Sequence, residues 1–443
     1  MKKITHEIRD PIHVFIKLDT AERKVLDSRP LQRLRYIHQL AMTYLIYPGA
    51  THKRFEHSLG VMELASRVFD IITDPQNIRS EVRDLLPLIN DEKAKIYWKQ
   101  VLRMAALCHD IGHLPFSHAA EKELLPEGKN HEQITRELIQ SHEMKKLWGD
   151  MTIPLKTEDI VKIAVGPKIV RDMNFTDWET ILSEIIVGDS FGVDRIDYLL
   201  RDSYHTGVAY GKFDHYRLID TMRILPQPQA EKGKSSIEPI LGIEEGGIHS
   251  AEALLLARYF MFTQVYLHPV RRIYDIHLKD FLVEWLKGSK YFSSLEKFLT
   301  LTDNQIISEI IKINRLSKKK RPPTFEHAEC LLKRKHFKLL YARNPKDMEI
   351  NPEAGEKIWQ AAAEKFGRSN VKRDYYTKEA AKINDFPIQL PDEDKTIVSA
   401  LTLSKTLSHL PPAAVDCVFI KPSLLDEANE WLNKNKNDII KLS

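Results

Sequence analysis

No stretch of the sequence stays apolar for the roughly 18 residues that a bilayer-spanning helix needs, and no secretory leader or lipidation motif is read in it. No membrane association is therefore expected, and the expected location is the cytoplasm. Charge of one sign is missing as well. The 66 basic residues face 62 acidic ones, and a net charge of +4 creates no overall basic field that calls for a nucleic-acid partner. Cysteine is scarce: Cys108, Cys330 and Cys417 are scattered, odd in number and without a CxxC pair, which argues against a disulfide framework and for a reducing compartment. No internal repeat occurs. What is present, 43% hydrophobic and 29% charged residues in a chain of 443, fits an ordinary globular protein. Such a length suits two or three domains, or one large core with an appended lobe.

Hydrophobic spacing is mostly helical. Residues 4–18 form an extended segment broken at Pro11. From about residue 20 Leu31, Leu34, Ile37 and Leu40 recur at helical intervals, and Pro48-Gly49 makes a turn. Thr51 is the expected N-cap of a helix carrying Phe55, Leu59, Met62, Leu64, Val68 and Ile72. Residues 74–95, charged and holding two prolines, read as a surface connection. A helix over 96–109 follows, broken by Gly112 and Pro115, and then helices over 117–125, 131–143, 157–165, 178–187 and 193–204. Residues 224–247 suggest a β-hairpin, 248–286 a long helix interrupted near Pro269, 303–313 a further helix, and Val415–Ile420 a strand. The basic runs at 317–321 and 333–338 could attract nucleic acid by neutralising phosphates, but the first, beside Pro322-Pro323, reads as a solvated linker, and nucleic-acid binding is not the expected function. The expected fold is mainly α: a helical core over 1–285 with the hairpin as an insertion, then a helical and α+β lobe over 286–443.

The chemistry concentrates in Arg103–His118, where an apolar helical run delivers His109 and Asp110, followed by His113 and His118. Imidazole and carboxylate are both ligands for divalent metals, and imidazole carries protons near neutral pH. Neighbouring helical residues diverge by about 100°, so the adjacent pair cannot encircle an ion alone. Two other segments offer partners: Arg54-Phe-Glu-His57 and Gly192-Val-Asp194, the latter running on to Asp202.

In their order and spacing, the blocks 32–40, 47–61, 109–118 and 193–202 resemble the HD-domain deoxynucleoside triphosphate triphosphohydrolases over about residues 4–285. The resemblance implies an HD-domain helical core in which His57, His109, Asp110 and Asp194 hold one divalent ion. Manganese, iron, zinc or nickel suits mixed nitrogen and oxygen ligation, magnesium less so. It also implies that His113 and His118 contact the α-phosphate and its bridging oxygen, one of them as general acid. Glu121 would orient His118 from the same helical face, and His131 with Glu132 would line the pocket. Arg54, Arg195, Arg258 and Tyr198 would reach phosphates, Gln39 (beside Leu40) and Asp202 the sugar 3′-hydroxyl, and Tyr266 would pack on the deoxyribose. The chain departs from the family at Glu121 for Asp, Arg195 for Lys and Phe262 for His. A regulatory nucleotide site, binding GTP or a dNTP, would use Asp27, Gln32, Arg35 and Lys338, although His6-Glu7 replaces a Lys-Val. Relatives of this kind form homo-oligomers, dimers or tetramers. The implied reaction releases deoxynucleoside and inorganic triphosphate from dNTPs. The alternatives are an HD phosphohydrolase for another nucleotide, or a nucleotide- or single-strand-binding protein without turnover.

Overall fold

The computed structural model describes residues 5–117, 121–125, 129–231, 234–287, 291–377, 385–411 and 413–441. The chain begins with an antiparallel hairpin, β1 (His6–Asp10) and β2 (Val14–Leu18), folded back around Pro11. Asp10 Oδ1 accepts from the backbone N–H groups of Ile12 and His13, both at 2.8 Å, which closes the turn.

The helix Arg54–Ile72 forms the centre. It is buried on almost every side, as a helix enclosed by other helices must be, and packs against Glu92–Cys108 and Val193–Thr206. Its N-cap is Lys53 and not Thr51. Gln39 N–H donates to the His52 carbonyl at 3.1 Å and Arg54 N–H to the Ile37 carbonyl at 3.0 Å, so the chain is held extended past Thr51. Lys53 N–H then donates to Glu56 Oε1 at 2.8 Å.

Three further expectations need correction. Residues 74–95 are not a surface connection: they form short turns around the helix Ser80–Leu85 that bury Val82, Leu86 and Ile89 in the main core, and the next helix begins at Glu92 with Asp91 as its cap. The helix expected over 131–143 is two, His131–Ile139 and His142–Gly149, because the Ser141 hydroxyl accepts from Met144 N–H and starts a new helix. The helix expected over 117–125 does not include Ser117, which with Phe116 adopts left-handed φ of 62° and 54°; among the described residues Glu121–Leu124 is helical.

The later helices Thr157–Val165, Asp177–Val187 and Asp303–Asn314 fall where periodicity places them. The long segment from Ile248 divides into Ile248–Met261, a π-helical turn Phe262–Tyr266, and Pro269–Trp285. The hairpin of β3 (Met222–Glu231) and β4 (Lys234–Glu244) is confirmed. Strands β5 (Lys338–Ala342), β6 (Val371–Thr377), β7 (Pro387–Gln389), β8 (Ile397–Ser399) and β9 (Ala414–Ile420) complete two sheets. Their orders are β3-β4-β7-β8 and β5-β9-β6. Ile388 of β7 runs parallel beside Ile243, so the chain returns to the hairpin after leaving it. The β5-β9-β6 sheet carries its own small core, with Leu340, Val371, Val418 and Ile420 against Ile358 and Leu432 of the helices Ala354–Phe366 and Leu425–Ile440. The fold is mainly α. No helix among the described residues is long and apolar enough to cross a membrane.

Candidate active site

His109 caps the end of the helix Glu92–Cys108, and Asp110 stands in the turn beyond it. Gly112 keeps this turn close to the helix His131–Ile139: a Cβ there would lie 2.2 Å from the His131 carbonyl oxygen. His57 enters from the first turns of the central helix, and Asp194 from the start of Val193–Thr206. His57, His109 and Asp110 form the one group of three ligand-type side chains found close enough to hold an ion among the described residues, with ligand atoms within 4.8 Å of one another. Asp194 joins them, its Oδ1 lying 3.0 Å from His57 Nε2 and 3.6 Å from His109 Nε2.

Both imidazoles are oriented by their other nitrogen. His57 Nδ1 lies 2.8 Å from Asp197 Oδ2, and His109 Nδ1 lies 2.8 Å from the Ala106 carbonyl. With Nδ1–H donating, each ring presents Nε2 as the free electron pair, the arrangement metal-binding histidines use. His109 Nε2 is enclosed and has no hydrogen-bond partner. That orphaned nitrogen, beside two carboxylates, fits a divalent cation.

The electrostatics agree. Burial pushes the His57 imidazole down, yet its bonds to Asp194 and Asp197 outweigh this and raise it to about 10. Burial likewise opposes the charged form of His109, and Asp110 and Asp194 raise it. Burial favours neutral Asp110, but Arg54, His109 and His113 hold it well below the usual carboxylate range. Three carboxylates, Asp110, Asp194 and Asp197, thus draw protons onto two imidazoles, which is where a divalent cation would displace them.

Asp197, His13, Asp10 and Arg201 were not singled out by the sequence, and they form the buried support beneath His57. Arg201 donates to both Asp197 oxygens at 2.8 and 2.9 Å and to Asp10 Oδ2 at 2.8 Å, while His13 Nε2 meets Asp197 Oδ1 at 2.7 Å. Gly60 leaves room for this cluster, since its Cβ would fall 1.9 Å from Asp197 Oδ1. The available signal was the spacing of Asp194, Asp197 and Arg201 at three and four residues, one face of a helix. Asp303 is a second unread support. Its buried carboxylate accepts from His38 N–H and Phe116 N–H, both at 2.8 Å, and so fixes the loop after the His-Asp pair.

A cavity of about 200 Å³ brings together His109, Asp110 and Asp194 with Gln39, Arg54, His113, His131, Glu132 and Tyr198. It shares Glu132, Val165 and Val187 with a neighbouring cavity of about 640 Å³. The Arg54 guanidinium bonds to Asp110 Oδ2 and to Ser117 Oγ. His113 stacks on His131 with ring centroids 3.9 Å apart, and burial, Arg54 and His131 hold it well below its ordinary value. Glu121 accepts from both His131 N–H and Nδ1, at 2.7 and 2.8 Å, and so orients His131 among the described residues. His118 lies outside the described residues.

The expected sugar-side residues assemble next to this cavity. Tyr266, in the π turn, donates its hydroxyl to Asp202 Oδ2 at 2.7 Å and meets Tyr198 edge-on at 6.3 Å. Arg258 lies over the Phe262 ring at 5.3 Å, and Phe262 meets Tyr266 at 5.1 Å, so the row along this face is kept. Arg195 instead donates to the Ser190 carbonyl at 3.3 Å, and neither it nor buried Leu40 lines the cavity. In the expected regulatory set, Arg35 donates to Gln32 Oε1 at 2.9 Å and lies over Phe55, while Asp27 pairs with Arg23 at 2.9 Å. Lys338 stands apart on β5, beside His336.

The HD-domain family model matches residues 54–166, and the model of the HD-associated region matches 213–375. An uncharacterised protein of Methanocaldococcus jannaschii is 34% identical over 69% of this chain and 58% of its own length. A deoxynucleoside triphosphate triphosphohydrolase of Mus musculus is 29% identical over 80% of this chain and 56% of its own. The chain thus spans a little over half the length of these curated relatives. The crystal structure of a hypothetical protein from Aquifex aeolicus superposes with a TM-score of 0.77 at 31% identity, covering 97% of this chain and 100% of the other. By sequence and by structure, the chain belongs to the HD-domain family, among the relatives of the deoxynucleoside triphosphate triphosphohydrolases.

Proposed function

We propose that the protein hydrolyses deoxynucleoside triphosphates to deoxynucleoside and inorganic triphosphate, with water attacking the α-phosphorus. The observation that carries this reading is the single cavity in which a candidate metal site, two stacked imidazoles and an arginine face one another beside an aromatic, carboxylate-bearing wall. His57, His109, Asp110 and Asp194 would hold one divalent ion. Such an ion supplies Lewis acidity toward a phosphoryl oxygen and a lowered pKa for water. The mixed nitrogen and oxygen ligands suit manganese, iron, zinc or nickel better than magnesium, and manganese is the ion with which turnover is tested.

The chain's own residues then divide the work. Arg54, with its planar fork of donors, faces the phosphates from beside the metal ligands, and Arg258 and Tyr198 approach from the sugar side. His113, held neutral against His131, binds and orients the α-phosphate region. His118 is the general acid that delivers a proton to the leaving 5′-oxygen. Asp202 and Gln39 read the 3′-hydroxyl, and the Tyr266 ring occupies the space a 2′-hydroxyl would need. Gln39 Oε1 is buried without a protein partner, in keeping with a role toward a ligand. We extend the reading, by resemblance, to a cytoplasmic homo-oligomer activated by GTP or a dNTP through Asp27, Gln32, Arg35 and Lys338.

The test is anion-exchange analysis of products with manganese and each dNTP, alone and in mixtures. Deoxynucleoside plus triphosphate is the expected result, and activity confined to mixtures identifies an activator. Mono- or diphosphate products would reassign it to another phosphohydrolase class, and metal-loaded protein that releases nothing would favour a binding protein.

A further inference from the structure

His52, which the proposed chemistry does not use, is buried at 3% exposure directly behind the sugar-side wall. Its Nε2 lies 2.7 Å from Asp202 Oδ1, and the two side chains are 0% and 2% exposed. The other Asp202 oxygen accepts the Tyr266 hydroxyl at 2.7 Å. A continuous chain His52–Asp202–Tyr266 therefore joins three elements: the segment before the central helix, the helix Val193–Thr206 and the π turn Phe262–Tyr266.

The far end of the chain is also fixed. The His52 ring stacks on His205 at 4.4 Å with an interplanar angle of 12°. His205 is in turn pressed by the Pro48-Gly49 turn, where a Cβ on Gly49 would lie 2.4 Å from the His205 carbonyl oxygen. Burial, with His52 and Arg201 nearby, pushes His205 down to about 4, so the stack brings a neutral ring against His52. His52 donates from Nε2 toward a carboxylate, a charge-assisted bond with little freedom to move. At the other end, Tyr266 is braced by its carbonyl, which accepts from Arg271, and by the flanking rings of Phe262 and Tyr198.

A ring that excludes a 2′-hydroxyl by occupying its place discriminates only while it cannot yield. Rotation by one rotamer would open the space. The groups that stop such rotation are as much a part of selectivity as the ring itself. We propose that His52 is a positioning residue for sugar recognition: by fixing the Asp202 carboxylate it locks the Tyr266 ring and sets how sharply the pocket separates deoxyribose from ribose. This inference rests on the dNTP reading of the site.

The experiment compares wild type, His52→Leu, His52→Gln and each His52 change combined with Tyr266→Phe. It records kcat and KM for each dNTP and its ribonucleotide counterpart, with bound metal quantified in parallel. His52→Leu is expected to raise the ribo-to-deoxy ratio of kcat/KM at least about tenfold, chiefly through a lower KM for the ribonucleotide, at unchanged metal content. His52→Gln, which retains an N–H of similar reach, should restore most of the discrimination. In the Tyr266→Phe background His52→Leu should add little, because both act through one chain. A metal-loaded His52→Leu enzyme that turns over dNTPs with the wild-type sugar ratio overturns the inference alone, as does a His52→Gln enzyme that loses discrimination as fully as the leucine. A wild-type protein that releases triphosphate from no deoxynucleotide overturns the substrate reading and this inference with it.

Discussion

Two groups of histidines in this molecule look alike in composition and differ in physics. His57 and His109 sit among Asp110, Asp194 and Asp197, which draw protons onto them against the cost of burial. His277, His327 and His336 cluster instead where the helix Pro269–Trp285 meets Phe325–Leu332 and β5. His277 Nδ1 faces His327 Nδ1 at 3.4 Å, and its Nε2 accepts from Phe337 N–H at 3.3 Å. The nearby Asp280 carboxylate accepts from Lys372 at 2.8 Å. Burial, with His327 beside it, pushes His277 down to about 3, and burial with Lys338 pushes His336 to about 4. Carboxylates, not the number of imidazoles, decide whether such a cluster is prepared for a cation or fixed as neutral packing.

The comparison can be broken most forcefully at the first group. His109→Ala combined with Asp110→Ala should remove bound metal, read by elemental analysis, and lower turnover by at least about a thousandfold. Retention of both metal and activity would contradict the ligand assignment. Asp197→Asn should weaken metal binding about 10- to 100-fold in titrations with manganese alone, because His57 loses the partner that orients it. Unchanged affinity in the folded variant would reduce Asp197 to a structural role.

A pH series sharpens the contrast further. In the metal-free protein His57 is raised to about 10, so an ion must displace its proton. Between pH 7 and 9 manganese affinity should therefore rise by up to about tenfold per unit, with proton release measured calorimetrically in buffers of different ionisation enthalpy. The second group gives the smallest effect and concerns stability. For His277 and His336 the folded-state values lie below the unfolded value of about 6.5. Protons then favour the unfolded chain, so the stability these rings contribute is present above about pH 6.5 and is lost as pH falls toward 4 and then 3. Denaturant melts of His277→Leu should show a shallower acid loss than wild type, on the order of 1 kcal/mol, with manganese affinity unchanged. A change in metal binding would show that the two groups are coupled.

The grouping of the candidate ligands was legible because they sit in short ordered blocks, and the helices because Phe55, Leu59 and Met62 or Ile196, Leu199 and Leu200 repeat at helical spacing. What escaped was long-range. His13 meets Asp197 across 184 residues, His52 meets Asp202 across 150, and His38 meets Asp303 across 265. Nothing local distinguishes those histidines from exposed ones. Ser141 begins a helix without glycine or proline to announce it, and the charge around Val82, Leu86 and Ile89 hid a buried face whose spacing was helical all along. The π turn at Phe262–Tyr266 left the Arg258, Phe262, Tyr266 row intact, so the face was read correctly although the helix was not regular.

The most direct test of α-phosphorus hydrolysis is turnover of a dNTP in ¹⁸O-labelled water, with products separated and weighed by mass spectrometry. Attack at the α-phosphorus predicts one labelled oxygen in inorganic triphosphate and none in the deoxynucleoside. Label in the deoxynucleoside, in orthophosphate or in diphosphate would contradict it.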